Sequence, residues 1–464
     1  MKTFAFKTDN NNYYLYSPSL KKFIPIPENT YNAFISNSGD DPILNVFKTS
    51  GYLTNRESLF SKKVNAHEIK CALANIPQIV FEVTTHCNFR CKYCCYGEYY
   101  ETFAERKEGL LTFPVAKALL DKISALTHSK HCSTFNSPLV LSFYGGEPLL
   151  NVKLIKDIVD YAKSLSFRGR PLRFSLTTNA SLLAKNIDFL QENNFALLVS
   201  LDGDRENNSY RVFSDGRQSF DTVISNLKSV RSKYPEYFQS IRFNSVYTNL
   251  SDTENIFDFF STNFNKATTL SPLHISDGEV EHPEVLYMRK SIKSVDADFY
   301  RLFPESFLEI PMNKKVIQLL MYMTGSLYYD ESSYIHKDDI ERFPTHTCVP
   351  FTKRLFLTVN NTIVPCEKVN RSTPLCKYSD GDFGFDYPKI ADDFNAMVYK
   401  FENQCSNCAF KSLCNHCACT STSSSLCPEF KSYKDSIPVF AEIFSYLEKN
   451  PSIPETIYRN IILK

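Results

Sequence analysis

The sequence predicts an α/β fold on a parallel sheet, with a small α+β unit before it and a cysteine-rich unit after it. Three observations carry this. From residue 78 onward, apolar strand-like runs alternate with amphipathic helical patterns. Before residue 75, two short strand-like runs flank a turn. From residue 348 onward stand nine of the fifteen cysteines. A length of 464 residues suits two or three domains rather than one core.

Composition narrows the function class. Lys plus Arg is 52 against 51 for Asp plus Glu, a net charge of +1, so neither nucleic acid nor an anionic membrane is an expected partner. No apolar run approaches the ~18 residues of a membrane span. The N-terminal stretch Met1-Lys2-Thr3-Phe4-Ala5-Phe6-Lys7 is broken by charge, so no signal peptide is expected. Fifteen cysteines without such a signal point to metal ligands rather than disulfides, and to the cytoplasm as the expected compartment.

In residues 1–75, the runs 13–16 and 23–26 around the turn-rich 17–22 read as a hairpin, followed by helical stretches near 31–35 and 43–47. Strands are then expected at 78–84, 139–144, 172–178, 196–201, 241–247 and 270–275. Helices between them are marked by Val115, Leu119 and Ile123, by Ile155, Ile158 and Val159, and by Val223, Leu227 and Val230. Thr112 is the expected cap of the first, with Pro114 in its opening turn. Six strands alternating with helices imply right-handed parallel crossovers, with chemistry on the loops at the strands' C-terminal ends. Residues 281–340 read as a bridging helical segment, with an apolar pattern near 316–323, and 433–464 as a helical tail.

The loop after the first strand carries Cys87, Cys91 and Cys94 at the spacing C-x3-C-x2-C, with Tyr93 before the third. Three thiolates on one loop can cap three corners of a four-iron cluster, leaving one iron open to a small molecule. The second strand runs into Gly145-Gly146-Glu147-Pro148, where glycines permit close approach to a ligand and a carboxylate can meet an ammonium group.

The triad resembles the signature of the radical S-adenosylmethionine (radical SAM) enzymes. That resemblance implies a partial (β/α)6 TIM-like barrel over 76–280. Cys87, Cys91 and Cys94 would hold a [4Fe–4S] cluster whose open iron chelates SAM, with Tyr93 beside the third cysteine. A reductant such as a flavodoxin or ferredoxin would trigger release of a 5′-deoxyadenosyl radical. Gly145, Gly146 and Glu147 would hold SAM's amino group. Ser175, Asn179, Ser200 and Asp202 match segments lining the ribose and substrate side, although polar strand ends also cap helices. Ala180 stands where the family usually has glycine. Arg211 would reach the SAM carboxylate.

Toward the C-terminus, Cys405-x2-Cys408-x5-Cys414-x2-Cys417 resembles the SPASM extension of radical SAM peptide maturases, expected over 341–432. It implies two auxiliary [4Fe–4S] clusters, one on Cys405, Cys408, Cys414 and Cys427, the other on Cys348, Cys366 and Cys417. The last spacing is x2 rather than x3, so Cys417 or Cys419 can be the ligand. The fourth ligand beside Cys348 is open, with His346 and Cys376 as candidates. A zinc ribbon is the alternative for the close pairs. A hairpin is expected at 354–359 and 362–366, turning at Asn360-Asn361. Glu367 sits where related enzymes carry an acidic residue that serves as a base; a surface carboxylate is its plain alternative. Cys71, Cys95 and Cys132 read as packing cysteines.

The resemblance implies an enzyme that oxidises or cross-links residues of a ribosomally made precursor peptide. The N-terminal hairpin resembles peptide-recognition domains that take a leader as an added strand. An anaerobic sulfatase-maturing enzyme is a second reading, and a non-enzymatic zinc-binding adaptor a third.

Overall fold

A computed structural model describes residues 3–17, 20, 22–38, 40–53, 60–94, 96–97, 109–273, 283–288, 303, 305–322, 343–369, 371, 373–408, 414, 416–420, 427 and 430–462. Cys95 lies outside these residues. The central sheet begins with β4 (Gln78–Thr84), β5 (Leu139–Gly145), β6 (Leu172–Thr178), β7 (Ala196–Ser200), β8 (Arg242–Tyr247) and β9 (Thr268–Pro272), paired in sequence order and all parallel. The intervening helices are α4 (Phe113–Thr127), α5 (Val152–Ser164), α6 (Leu183–Glu192), α7 (Phe220–Lys233), α8 (Pro235–Ser240) and α9 (Thr253–Phe264). Helices covering a parallel sheet bury its strands on both faces, so β4 reads as a continuous apolar run broken by Glu82 rather than as an alternating one. Thr112 occupies the N-cap of α4 with extended backbone, but its hydroxyl makes no capping bond, contrary to the sequence expectation.

The C-terminal hairpin forms where expected, as β10 (Leu355–Leu357) and β11 (Thr362–Val364), with Asn361 at φ +61° in the turn. The sequence did not foretell its place. β10 pairs parallel with β4, Leu355 to Ile79 and Leu357 to Phe81. β11, β12 (Cys376–Ser379) and β13 (Asp382–Phe383) extend the same sheet to ten strands. The cysteine-rich segment is thereby hydrogen-bonded to the strand that leads into the Cys87 loop.

The N-terminal hairpin gains a third strand: β1 (Phe4–Lys7), β2 (Tyr13–Ser17) and β3 (Lys22–Ile26) make an antiparallel sheet in that order. Its two faces follow the period-two alternation of strand side chains. Ala5, Leu15 and Ile26 face α1 (Glu28–Ile35) and α2 (Pro42–Thr49) through Tyr31, Phe34 and Leu44. Phe4, Phe6, Tyr16 and Phe23 face the C-terminal helix Tyr433–Lys449, where Phe4 stacks on Phe440 at 5.3 Å and Phe23 meets Phe444 at 4.8 Å. The helix Pro311–Tyr322, from the expected bridging segment, closes the same cluster through Val316 and Ile317. Among the described residues, no helix is long and apolar enough to cross a membrane.

Candidate active site

The cysteine loop leaves the C-terminal end of β4 and is pinned from two sides. Along one side it runs antiparallel to residues 210–214: the Arg90 N–H donates to Val212 O (2.8 Å), Lys92 N–H to Tyr210 O (3.0 Å), and Ser214 N–H to Asn88 O (2.9 Å). Phe89 and Phe213 close that seam edge to face at 4.8 Å. On the other side sits the end of β5. The Gly146 N–H donates to Thr84 O (2.9 Å) and the Glu147 N–H to His86 O (2.8 Å). A Cβ on Gly145, at φ +138°, would lie 2.1 Å from Thr84 O, and one on Gly146 would lie 2.1 Å from His86 O. The backbone that these glycines let in is therefore the chain's own cysteine loop.

Glu147 is fully buried. Its carboxylate accepts from Leu149 N–H (3.1 Å), the Thr178 hydroxyl (2.8 Å) and Asn179 N–H (2.7 Å), and so braces the end of β5 against the end of β6. Burial pushes its pKa up to about 7, with those three donors opposing. Asn179 continues the brace: its amide donates to Asn88 Oδ1 (3.0 Å) and lies 3.8 Å from Cys87 Sγ. Ala180 sits at φ +61°, a left-handed position that costs a Cβ-bearing residue about 1–2 kcal/mol, which accounts for the glycine expected there.

Tyr93, Asp202 and Arg211 form one buried network. The Tyr93 hydroxyl donates to Asp202 Oδ2, Arg211 Nη1 donates to Tyr93 Oη at 2.8 Å, and Val246 N–H donates to Asp202 Oδ1 at 2.9 Å. Arg211 also lies close enough to Cys91 to favour its thiolate, against burial, which raises that thiol to about 11. Backbone N–H groups of Phe89 and Tyr96 point at Cys87 Sγ (3.3 Å) and Cys94 Sγ (3.4 Å). Three thiols on one pinned loop, two receiving N–H bonds and one beside a guanidinium, fit the donor set and hydrogen bonding of an iron–sulfur cluster. Ser175 lies farther back, within β6, bonded to Ser142 at 2.6 Å, and Ser200 ends β7 opposite Asn244.

The sequence reading missed Glu82. It is fully buried on β4, and Arg371 pairs with it through both nitrogens at 2.7 and 2.8 Å. Tyr96 OH (2.6 Å) and Val359 N–H (3.1 Å) complete its shell. The signal was an acidic residue inside an apolar strand. Its partner, 289 residues away, carried none.

In the C-terminal array, Cys427 N–H donates to Gln404 Oε1 (2.8 Å), beside the buried Cys405, and Cys408 N–H bonds Cys405 O (3.2 Å). Cys414 stands between residues outside the described set. His346 N–H bonds His416 O (3.1 Å), and the Ala418 N–H donates to Thr347 Oγ1 (2.8 Å), which sets Cys348 beside 417–419. Cys419 donates to Cys417, lowering the latter's pKa, and Cys419 also feels Cys366 and Cys348. Cys376 is not with them. Its sulfur is 3.4 Å from Gly384 O, beside Lys122 and Asp382, so its candidacy as the fourth ligand fails on position. Glu367 is paired by Arg354 Nη1 at 3.0 and 3.1 Å across the hairpin.

The description "Radical SAM superfamily" fits residues 81–259 of the chain, from within β4 to α9. Residues 81–259 form a radical SAM domain. The chain is also similar to a cysteine-type anaerobic sulfatase-maturating enzyme of Clostridium novyi, 24% identical over 168 residues, 36% of this chain and 43% of that protein. The radical SAM cyclopropyl synthase TigE of Paramaledivibacter caminithermalis is 27% identical over 245 residues, 50% of this chain and 48% of TigE. The matches thus span somewhat under half the length of these curated relatives. Among solved structures, native anSMEcpe with bound AdoMet and Cp18Cys peptide has a TM-score of 0.54 at 17% identity, covering 83% of this chain and 99% of that one, a likeness of fold. That likeness of fold covers more of the chain than residues 81–259, and the cysteine-rich C-terminal region fits a SPASM domain. The family uses a [4Fe–4S] cluster with SAM.

Proposed function

We propose that this radical SAM enzyme oxidises or cross-links residues of a ribosomally made precursor peptide. The observation that carries the reading is the continuous sheet in which β10 of the cysteine array pairs with β4 of the radical SAM domain. It sets a second group of cysteines against the strand that feeds the Cys87 loop. Similarity to two enzymes, one named for maturing sulfatases and one for cyclopropyl synthesis, supports a peptide or related substrate.

Cys87, Cys91 and Cys94 would hold the cluster, and Gly145, Gly146, Glu147, Asn179, Ser200, Asp202 and Arg211 would surround SAM, with Ser175 behind them in β6. When bound, cluster and SAM supply a 5′-deoxyadenosyl radical. This chain's part is to orient and to exclude water: Glu147 and Asn179 lock the loop, and the Tyr93–Asp202–Arg211 network keeps a cation beside Cys91. Glu367 is the group we assign to accept a proton from substrate, held in place by Arg354. The precursor's leader would add to the N-terminal sheet at the β3 edge. Pro25 supplies no N–H there, so fewer than the full set of ladder bonds is available.

The reading is tested by loading the protein with iron and sulfide without oxygen, adding dithionite, SAM and candidate precursors, and measuring 5′-deoxyadenosine and peptide mass. Wild type should form both products. Cys87→Ala, Cys91→Ala and Cys94→Ala should form neither. Turnover only on a sulfatase-motif peptide would favour the sulfatase-maturing reading. Slowed amide exchange at residues 22–26 on adding precursor would support leader pairing, and unchanged exchange would remove it.

For the auxiliary site beside Cys348, we assign Cys419 as the fourth ligand with Cys366 and Cys417. Cys419→Ala should lower bound iron, by about four per chain where the cluster is lost entirely. Cys376→Ala should leave iron unchanged; full iron in Cys419→Ala would overturn the assignment of Cys419.

A further inference from the structure

Cys71, read from sequence as a packing cysteine, has two histidines for neighbours. His67 and Cys71 stand four residues apart on one face of α3 (Ala66–Ala74), the spacing that puts two helical ligands on a single metal. Cys71 Sγ is 3.7 Å from His67 Nε2 and 3.8 Å from His131 Nδ1. The three groups' ligand atoms all lie within 4.8 Å of one another. In a tetrahedral zinc site, bonds of about 2.3 Å to sulfur and 2.0–2.1 Å to nitrogen set sulfur and nitrogen about 3.6 Å apart. The two S···N separations are already near that value, and the third separation, between the two histidines, is no more than 4.8 Å, with His67 exposed at the helix surface.

The arrangement is built rather than incidental. Asn75, at the C-cap of α3, donates to Cys71 O (2.8 Å) and His131 O (2.7 Å) at once. Its own oxygen accepts from Ser133 N–H (2.7 Å) and Thr134 N–H (3.1 Å). One side chain thus bolts the His131 turn to the helix carrying the other two ligands. Arg170 fixes the adjoining backbone through Ile76 O (2.8 Å) and Ser137 O (3.1 Å). Lys70 and Lys130 flank His131 and oppose a cation, so the site needs the Cys71 thiolate.

We propose that His67, Cys71 and His131 bind one zinc ion, with water completing the tetrahedron. The site lies where β4 and β5 begin, at the opposite end of those strands from the Cys87 loop. A site at the strand starts stands away from the strand ends, where a barrel of this kind carries its chemistry. The zinc staples α3 to the turn after α4, outside the chemistry of the iron–sulfur sites.

The test uses the full-length protein with its iron–sulfur centres loaded. After equilibration with zinc and removal of free metal, zinc and iron per chain are counted, and zinc X-ray absorption reads the coordination shell. Wild type should hold about one zinc with one sulfur and two nitrogens, and its melting temperature should rise on adding zinc. His67→Ala, Cys71→Ser and His131→Ala should each weaken zinc binding by tenfold or more, with iron content and 5′-deoxyadenosine formation unchanged. Zinc-free wild type, a shell of three or four sulfurs, or undiminished zinc in Cys71→Ser would overturn the proposal. Retained iron in the variants shows that they fold. Failure of the radical SAM reading would instead appear as missing 5′-deoxyadenosine with zinc in place.

Discussion

Gly146→Ala is expected to cost about a hundredfold or more in 5′-deoxyadenosine formation. The new Cβ would stand 2.1 Å from His86 O and 2.7 Å from Thr85 O, both backbone atoms within two residues of Cys87. Neither can swing aside as a side chain would, so the end of β5 and the cysteine loop must part by about 1 Å. A misplacement of that size at a reacting centre costs about 10²-fold. Iron at the Cys87 loop should fall as well, while the C-terminal array keeps its share. Gly384→Ala is the control, because a Cβ there meets nothing within 4 Å. Full turnover and iron in Gly146→Ala would mean that the loop is not held by this contact.

Arg371→Met should destabilise the protein by about 3–5 kcal/mol, the usual cost of leaving a buried charge without its partner. Glu82 is fully buried, and the remaining donors, Tyr96 OH and Val359 N–H, do not neutralise it. Replacing both partners, as Glu82→Leu with Arg371→Met, should cost much less than the single change, since the uncompensated charge goes with it. Urea unfolding of the two variants measures the difference. Tyr96 lies two residues beyond Cys94, so the single variant should also lose iron from the cysteine loop. A cost under about 1 kcal/mol for Arg371→Met would show that Glu82 reaches water.

The six parallel strands were legible because each is a short apolar run bounded by turns, and the observed bounds differ from the expected ones by a few residues at most. The cysteine loop and the GGE turn were legible because their chemistry is written in adjacent residues. What the sequence hid is pairing across distance. β10 adds to β4, Arg371 neutralises Glu82, and Phe440 covers Phe4; none of these has a local period or motif. The glycines of the GGE turn were legible as a close approach, but the sequence could not say that the neighbour was the chain's own Thr84 and His86. The nearness of Cys71 to His131 was hidden in the same way, since that histidine sits in a turn 60 residues away.

The aromatic face of the N-terminal sheet is covered by a helix that begins at Tyr433. On the ribosome, the first strands emerge more than 400 residues before their cover. At about 5–20 residues per second, Phe4, Phe6, Tyr16 and Phe23 wait on the order of 20–80 s for Phe440 and Phe444. During synthesis this face is a ready target for holdase chaperones, and a ribosome stalled before residue 433 would release a chain with that aromatic surface still bare.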